Sequence, residues 1–269
     1  MVLVKINDID FKYKGNEKNV FTGVNIDIDK GESVAIVGQN GAGKTTLVKM
    51  LNGLLRPTKG DVLIGEMNTK EHTTAELSKK VGYVFQNPDD QIFHDNVYDE
   101  MAFGPKKAQS DDEEIEDIVT EVAKICELDD SFEENPYDLP YSIRKFVATA
   151  SILTMDSEVV ILDEPTAGQD KNGMRIIKNI IEYLLSKNKT VITITHDMEF
   201  TVDNFKRVIV MSQGKKLADD NPEEIFWNID LLRKAQLQQP YVSRVARKVK
   251  MQSKPVNVQQ FVDFIEENY

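Results

Sequence analysis

The chain has 269 residues, 41% hydrophobic and 29% charged, with a net charge of -12. That supplies a well-buried core for one large domain, or one domain with an appendage, and argues against non-specific nucleic-acid binding, which depends on Lys and Arg neutralising phosphates. No apolar run approaches the roughly 20 residues that span a bilayer, the start MVLVKINDID has no signal-peptide apolar region, and the single Cys126 cannot form an intramolecular disulfide; the expectation is a protein kept in the cytosol.

The first thirty residues alternate apolar and polar side chains, Leu3-Val4-Lys5-Ile6 and then Val24-Asn25-Ile26-Asp27-Ile28, which predicts an antiparallel strand pair. "ESVAIVGQNGAGKTTLVKMLNGLL" reads as a buried strand, a Gly-rich loop and a helix. Further strands are expected at Gly60–Ile64, Val81–Phe85, Val159–Leu162, Thr190–Thr195 and Arg207–Ser212. From Val81 onward these are mostly unbroken apolar runs, the pattern of a parallel sheet with helices on both faces. Between Asn96 and Thr154 the strand signal stops. Asp111–Leu128 is helically periodic there, with Ile115, Ile118, Val119, Val122 and Ile125 on one face, so a helical insertion in an α/β domain is predicted.

In "YDLPYSIRKFVATA" a helix is expected after Pro140, with Ser142 as its N-cap and Phe146, Val147 and Ala150 on its apolar side. After Ser212 the stretch "SQGKKLADDNPEEIF" reads as a turn. The basic cluster Arg244, Arg247, Lys248 and Lys250 reads as a solvated helix face. The end of the chain sets Val258, Phe261, Val262 and Ile265 on one helical stripe that can dock on its own domain or on a partner. The expected division is 1–226 for the main domain and 227–269 for a C-terminal extension.

Two segments carry chemistry. "GQNGAGKT" fits G-x-x-x-x-G-K-[ST] between a strand and a helix. Its glycines allow backbone N–H groups to curl around phosphates, Lys44 would reach the β- and γ-phosphates, and the Thr45 hydroxyl would ligate Mg²⁺. "VVILDEPT" ends an apolar strand in Asp163, placed to hold Mg²⁺ through its water shell, followed by Glu164, placed to polarise an attacking water. Together they point to a hydrolytic NTPase.

From about Leu3 to Phe226 the remaining motifs resemble the ATP-binding cassette (ABC) superfamily. The resemblance implies a P-loop α/β core with a mostly parallel sheet, an N-terminal antiparallel β subdomain, an inserted helical subdomain at about 96–154 and a C-terminal helical extension. It implies ATP and Mg²⁺ as cofactors, and nucleotide contacts from Gly38, Gln39, Asn40, Gly41, Ala42, Gly43, Lys44, Thr45 and Thr46. Tyr13, in Phe11-Lys12-Tyr13, matches the aromatic that stacks on adenine. Gln86 matches the Q-loop glutamine at Mg²⁺ or the attacking water, Asp170 in "TAGQD" the D-loop, and His196 in "VITITHD" the switch histidine at the γ-phosphate. His72 and His94 receive no role. "VFQNPDDQIF" and "AFGPKK" narrow the resemblance to the ATPase subunits of energy-coupling-factor (ECF) transporters, which import vitamins or transition-metal ions such as cobalt and nickel. There Asn87–Phe93 would form part of the groove for the membrane T-component, and a separate S-component chooses the cargo. The implied location is the cytoplasmic face of the membrane, as a peripheral subunit.

One turn departs from the family. ABC ATPases pair head to tail, each covering its partner's ATP with a Leu-Ser-Gly-Gly-Gln signature at a helix start. Aligned on Leu139, this chain has Pro140, Tyr141, Ser142 and Ile143 in place of Ser, Gly, Gly and Gln. Proline offers neither hydroxyl nor N–H. The residues implied at its own half-site are all present. The expectation is therefore a heterodimer with a second ATPase of normal signature, and asymmetric turnover. Its rivals are a homodimer, a non-transport ABC ATPase of DNA repair or translation, and an impaired regulatory cassette.

Overall fold

The computed structural model describes residues 1–268. In chain order the strands are β1 (Val2–Phe11), β2 (Phe21–Asp29), β3 (Ser33–Val37), β4 (Lys59–Ile64), β5 (Met67–Asn68), β6 (Val81–Val84), β7 (Val159–Asp163), β8 (Thr190–Ile194), β9 (Arg207–Ser212) and β10 (Lys215–Asp220). The helices are α1 (Lys44–Val48), α2 (Thr74–Ser78), α3 (Val97–Ala108), α4 (Asp112–Cys126), α5 (Tyr141–Leu153), α6 (Lys171–Ser186), α7 (Met198–Asn204), α8 (Pro222–Phe226), α9 (Ile229–Ala235), α10 (Tyr241–Lys248) and α11 (Val258–Asn268). Single 3₁₀ turns form at Pro88–Asp90 and Pro136–Asp138. No helix among the described residues is long and apolar enough to cross a membrane.

Two sheets form. An antiparallel one, ordered β2-β1-β4-β5, carries the predicted N-terminal pair, with Ile6 opposite both Ile26 and Val62. The larger is ordered β10-β9-β3-β8-β7-β6; β9, β3, β8, β7 and β6 run parallel, and β10 is antiparallel to β9. The unbroken apolar runs are explained by what lies on each face. In β7, Val159 and Ile161 face a core shared with the antiparallel sheet and α1. Val160 and Leu162 face the other core, built with α3, α4, α5 and α6. One strand thus serves both layers, and no position along it can be polar until Asp163.

The helical insertion is α3, α4 and α5. Asn96 and Asp111 cap α3 and α4, accepting from Asp99 N and Glu114 N, each such cap stabilising its helix by about 1 kcal/mol. On α4, Ile115, Val119 and Val122 are buried as predicted, and Ile118 and Ile125 pack half-buried against the same core. Cys126 closes that helix as a fully buried thiol whose pKa is pushed up by burial.

Two expectations fail. Ser142 does not cap α5: Pro140, at φ -51°, is the residue before the helix, and no side chain caps its first turn. The ring of Pro140 is already set for helix entry, so the helix starts at Tyr141, two residues earlier than a Ser142 cap would allow. The stretch after Ser212 is a hairpin, not simply a turn. Gln213 and Gly214 both have positive φ, as a two-residue hairpin loop needs, and they return the chain as β10.

Beyond Phe226 the chain stays joined to the main core. Phe226, Leu231, Leu232, Ala235 and Val256 are buried in the cluster that holds α3–α6. Trp227 Nε1 donates to Pro255 O at 3.2 Å, and Gln239 Nε2 to Phe226 O at 3.0 Å. The basic residues Arg244, Arg247, Lys248 and Lys250 are exposed on and just after α10. On α11, Val258, Val262 and Ile265 stay exposed, so most of that stripe is not buried against the chain itself.

Candidate functional site

The site lies where the parallel strands end. β3 runs into the Gly-rich loop, β7 into Asp163 and Glu164, β8 into His196, and β6 into Gln86. Ligands of open α/β sheets bind at the carboxyl ends of the strands, beyond which the backbone is free to turn towards them. A cavity of about 550 Å³ opens there, lined by Gly38, Gln39, Asn40, Gln86, Glu164 and His196, and by part of the segment Gln236–Arg244. Residues as distant in sequence as Gly38 and His196 are therefore neighbours.

The loop's glycines have separate reasons. A Cβ on Gly38 would stand 2.1 Å from the backbone oxygen of Met211, so the loop can leave β3 beside β9 only with no side chain there. Gly43 takes φ +95°, left-handed backbone that favours glycine, as the residue just before α1. Lys44 is buried, and its Nζ donates to Gly38 O at 2.6 Å and Gln39 O at 3.2 Å. Its pKa is lowered by burial, against the opposing pull of Glu164 and Asp163. The ammonium is held inside the loop's curve, where an anion would sit.

Asp163 is buried at the end of β7. Thr45 Oγ1 donates to its Oδ1 at 3.4 Å, and Tyr83 OH donates to its Oδ2 at 2.6 Å. Burial and the nearby carboxylate raise the Tyr83 pKa far above its usual value, so it remains a donor. Among the described residues no three His, Cys, Asp or Glu side chains form a metal-holding group. What is present is one carboxylate beside one hydroxyl, all oxygen. That set suits a hard cation that keeps most of its waters and takes its other ligands from phosphate.

Glu164 follows at φ +52°. Its N–H donates to Ile194 O at 2.9 Å, which keeps it registered to β8. His196 Nδ1 lies 2.7 Å from its Oε2. A carboxylate only accepts, so Nδ1 carries the hydrogen and Nε2 is left for another partner.

Tyr13 is 41% exposed, with its hydroxyl 3.0 Å from Thr46 Oγ1 and its ring edge-on to Phe11. It stands beside the phosphate loop, outside the core. Asp170 caps α6 through Gly173 N at 2.8 Å. The Leu139–Ile143 turn lies apart from this cavity: Leu139 is buried, while Pro140 and Tyr141 are exposed at the start of α5. Arg144 fastens the turn by donating to Pro136 O, Tyr137 O and Leu139 O, and its Nη1 reaches Asp89 Oδ1 at 2.8 Å.

Sequence reasoning missed Tyr83, Lys145 and Gln169. Lys145, buried on α5, donates from Nζ to Glu164 O at 2.7 Å and Ala167 O at 3.0 Å. Gln169 Nε2 donates to Ser142 O at 3.0 Å. The one local signal for Lys145 was a lysine set directly against the apolar run Phe146–Val147.

A strand-loop-helix phosphate cradle with an acidic pair at the end of a parallel strand of the same sheet, β7, separated from β3 by β8, defines a P-loop nucleoside-triphosphate hydrolase. The ABC transporter family profile matches residues 21–167. The energy-coupling factor transporter ATP-binding protein of Methanocaldococcus jannaschii is 40% identical over 260 residues, covering 96% of this chain and 92% of that protein. Among solved structures, cbiO1 of Clostridium perfringens, part of an ABC transporter complex, superposes with TM-score 0.79 at 30% identity, covering 93% of this chain and 99% of that one. A dimeric ATP-binding cassette bound to ADP and phosphate gives 0.72 at 27%, covering 81% and 98%. The chain belongs to the ABC transporter ATPase family, as an ATP-binding subunit of the energy-coupling-factor type.

Proposed function

We propose that this chain is the efficient half of an asymmetric ATPase pair that powers uptake of a vitamin or transition-metal ion through a membrane T-component and S-component. It would act at the cytoplasmic face of the membrane. One contrast carries the reading. Gln86, Glu164 and His196 converge on the phosphate loop, with Asp163 beside Thr45, whereas the turn that would cover a partner's ATP begins with Pro140 and Tyr141.

In this reading Tyr13 stacks on adenine, and the loop from Gly38 to Thr46 wraps the phosphates. Lys44 releases the carbonyls of Gly38 and Gln39 to meet the β- and γ-oxygens. Thr45, Asp163 and Gln86 are the residues that would hold Mg²⁺, which would supply positive charge against the negative charge that develops on the transferred group. Glu164 takes a proton from the attacking water and is oriented by the Nδ1 hydrogen of His196, whose ring stands at the γ-phosphate end of the cavity. Asp170 and the Leu139–Ile143 turn face the second subunit. At that turn no side chain caps α5, which leaves free first-turn N–H groups for the partner's γ-phosphate, with the Tyr141 ring beside them.

The T-component is assigned to the surface around Asn87–Phe93. Phe93 is 61% exposed and meets Phe103 edge-on at 4.9 Å. Phe103 also lines a cavity of about 900 Å³ with Lys79, Pro105 and Met155, where a helix from a membrane protein can lay apolar side chains.

The test is reconstitution of the pair with its membrane subunits, comparing Glu164→Gln with the equivalent change in the partner ATPase. Glu164→Gln should remove most turnover and the partner change little. Equal losses reject the asymmetric model. Two copies of this chain, active without a second ATPase, would establish a homodimer instead.

A further inference from the structure

Glu164 occupies left-handed backbone at φ +52° without being glycine, a disfavoured conformation that persists only where the surroundings over-determine it. Two things determine it here. On one side the residue is registered to β8 through Ile194 O and to His196 through its carboxylate. On the other, the turn Glu164–Ala167 closes with Ala167 N bonded to Glu164 O at 3.3 Å, and the Lys145 ammonium fits against that turn, donating to both of its outward carbonyls. Lys145 is 5% exposed. Burying an ammonium is expensive, and its pKa is pushed down to about 8 by that burial, with Glu164 and Asp163 pulling the other way.

A methionine or leucine would fill the same space with no such penalty, so the charge serves the carbonyls it meets. Lys145 does not line the cavity with Gln86, Glu164 and His196, and two of its three hydrogens are already engaged. It is no proton donor to the reaction.

Resting on the proposed role of Glu164 as the base, we propose that Lys145 is a positioning residue for ATP hydrolysis: its ammonium pins the Glu164–Ala167 turn from behind and so fixes the Glu164 carboxylate against His196 and the attacking water. The nucleotide is held by other residues, so the effect falls on turnover and not on binding.

The experiment uses the full chain in its purified transporter complex, with kcat, KM for ATP, and Kd for a fluorescent ATP analogue measured on Lys145→Arg, Lys145→Gln and Lys145→Met. Misplacing a catalytic group by about 1 Å costs on the order of 10²-fold. That is the loss of kcat expected for Lys145→Met, with KM and Kd within about threefold of the parent. Lys145→Arg keeps a charged donor and should recover most of kcat, and Lys145→Gln, a neutral donor, should fall between. A Lys145→Met enzyme with parental kcat overturns the proposal. So does a Lys145→Arg enzyme no better than Lys145→Gln, a comparison that decides the matter alone if Lys145→Met does not fold. Loss of analogue binding in step with kcat also overturns it, because it would mark a general collapse of the site.

Discussion

Glu164 and His196 meet at 2.7 Å across the ends of two adjacent parallel strands, β7 and β8. Each stands just past the last apolar residue of its strand, so the register of the sheet sets their separation. Two groups that act as a unit lose function together. Glu164→Gln should lower kcat by about 10²–10⁴-fold, the range for a removed general base, while ATP binding persists. The double variant Glu164→Gln/His196→Ala should be hardly slower than Glu164→Gln alone. Single-turnover hydrolysis on the two singles and the double checks this. Additive losses would mean the pair acts through separate contacts.

Tyr83 holds one oxygen of Asp163 and so leaves the other turned to Thr45. Groups that orient a metal-binding carboxylate typically change metal affinity by 10–100-fold when removed. Tyr83→Phe should therefore raise the Mg²⁺ concentration for half-maximal activity by about tenfold, with kcat at saturating Mg²⁺ nearly restored. Chelation with EDTA should stop turnover in both proteins. A Mg²⁺ titration that superposes on the parent's would show that Asp163 needs no such support.

Whether a feature was legible in the sequence depended on how local its cause is. β7 and β8 were readable because both faces are covered and the run of apolar residues has no other explanation. The phosphate loop was readable because its function needs particular residue types at fixed spacing. β10 was not: Lys-Lys-Leu-Ala-Asp-Asp is polar, as an edge strand can be, and only the Gln213–Gly214 turn announces it. Tyr83 and Lys145 were hidden for another reason. Their partners lie 80 and 19 residues away along the chain, and tertiary pairing leaves no periodic trace. Ser142 looked like a cap because propensity favours it; the fixed φ of Pro140 set the helix start instead.

The altered turn yields a gain-of-function test. If Pro140 and Tyr141 limit how the pair closes on the partner's ATP, restoring Pro140→Ser with Tyr141→Gly supplies the hydroxyl and removes the ring. With this chain's own site silenced by Glu164→Gln, the remaining turnover belongs to the partner. It should rise about tenfold or more on restoration, which corresponds to about 1.4 kcal/mol of added transition-state stabilisation. The readout is phosphate release from the reconstituted pair. No rise would place the cause of slow turnover in the partner's own half-site.

Arg207 ties the edge of the large sheet together, and its pH response has a definite sign. Its guanidinium grips Asp219 on β10 through Nε at 2.7 Å and Nη2 at 2.9 Å, and Glu32, just before β3, through Nη1 at 3.1 Å. Burial pushes the Asp219 carboxyl up, but hydrogen bonds from Arg207 and Lys216 more than offset this and hold it below 3.8. A depressed folded-state pKa stabilises above the unfolded value, and that contribution is lost as pH falls through the folded one. Both partners are largely shielded, yet Arg207 keeps Glu32 when Asp219 is removed. Asp219→Asn should therefore cost about 1–2 kcal/mol at pH 7, short of the cost of orphaning a fully buried charge. The gap between the two proteins should stay constant from pH 7 to about 5 and narrow below about 4. Urea unfolding at a series of pH values reads it directly. A gap that widens on acidification would mean Asp219 is not ionised in the fold, and that Glu32 alone holds the arginine.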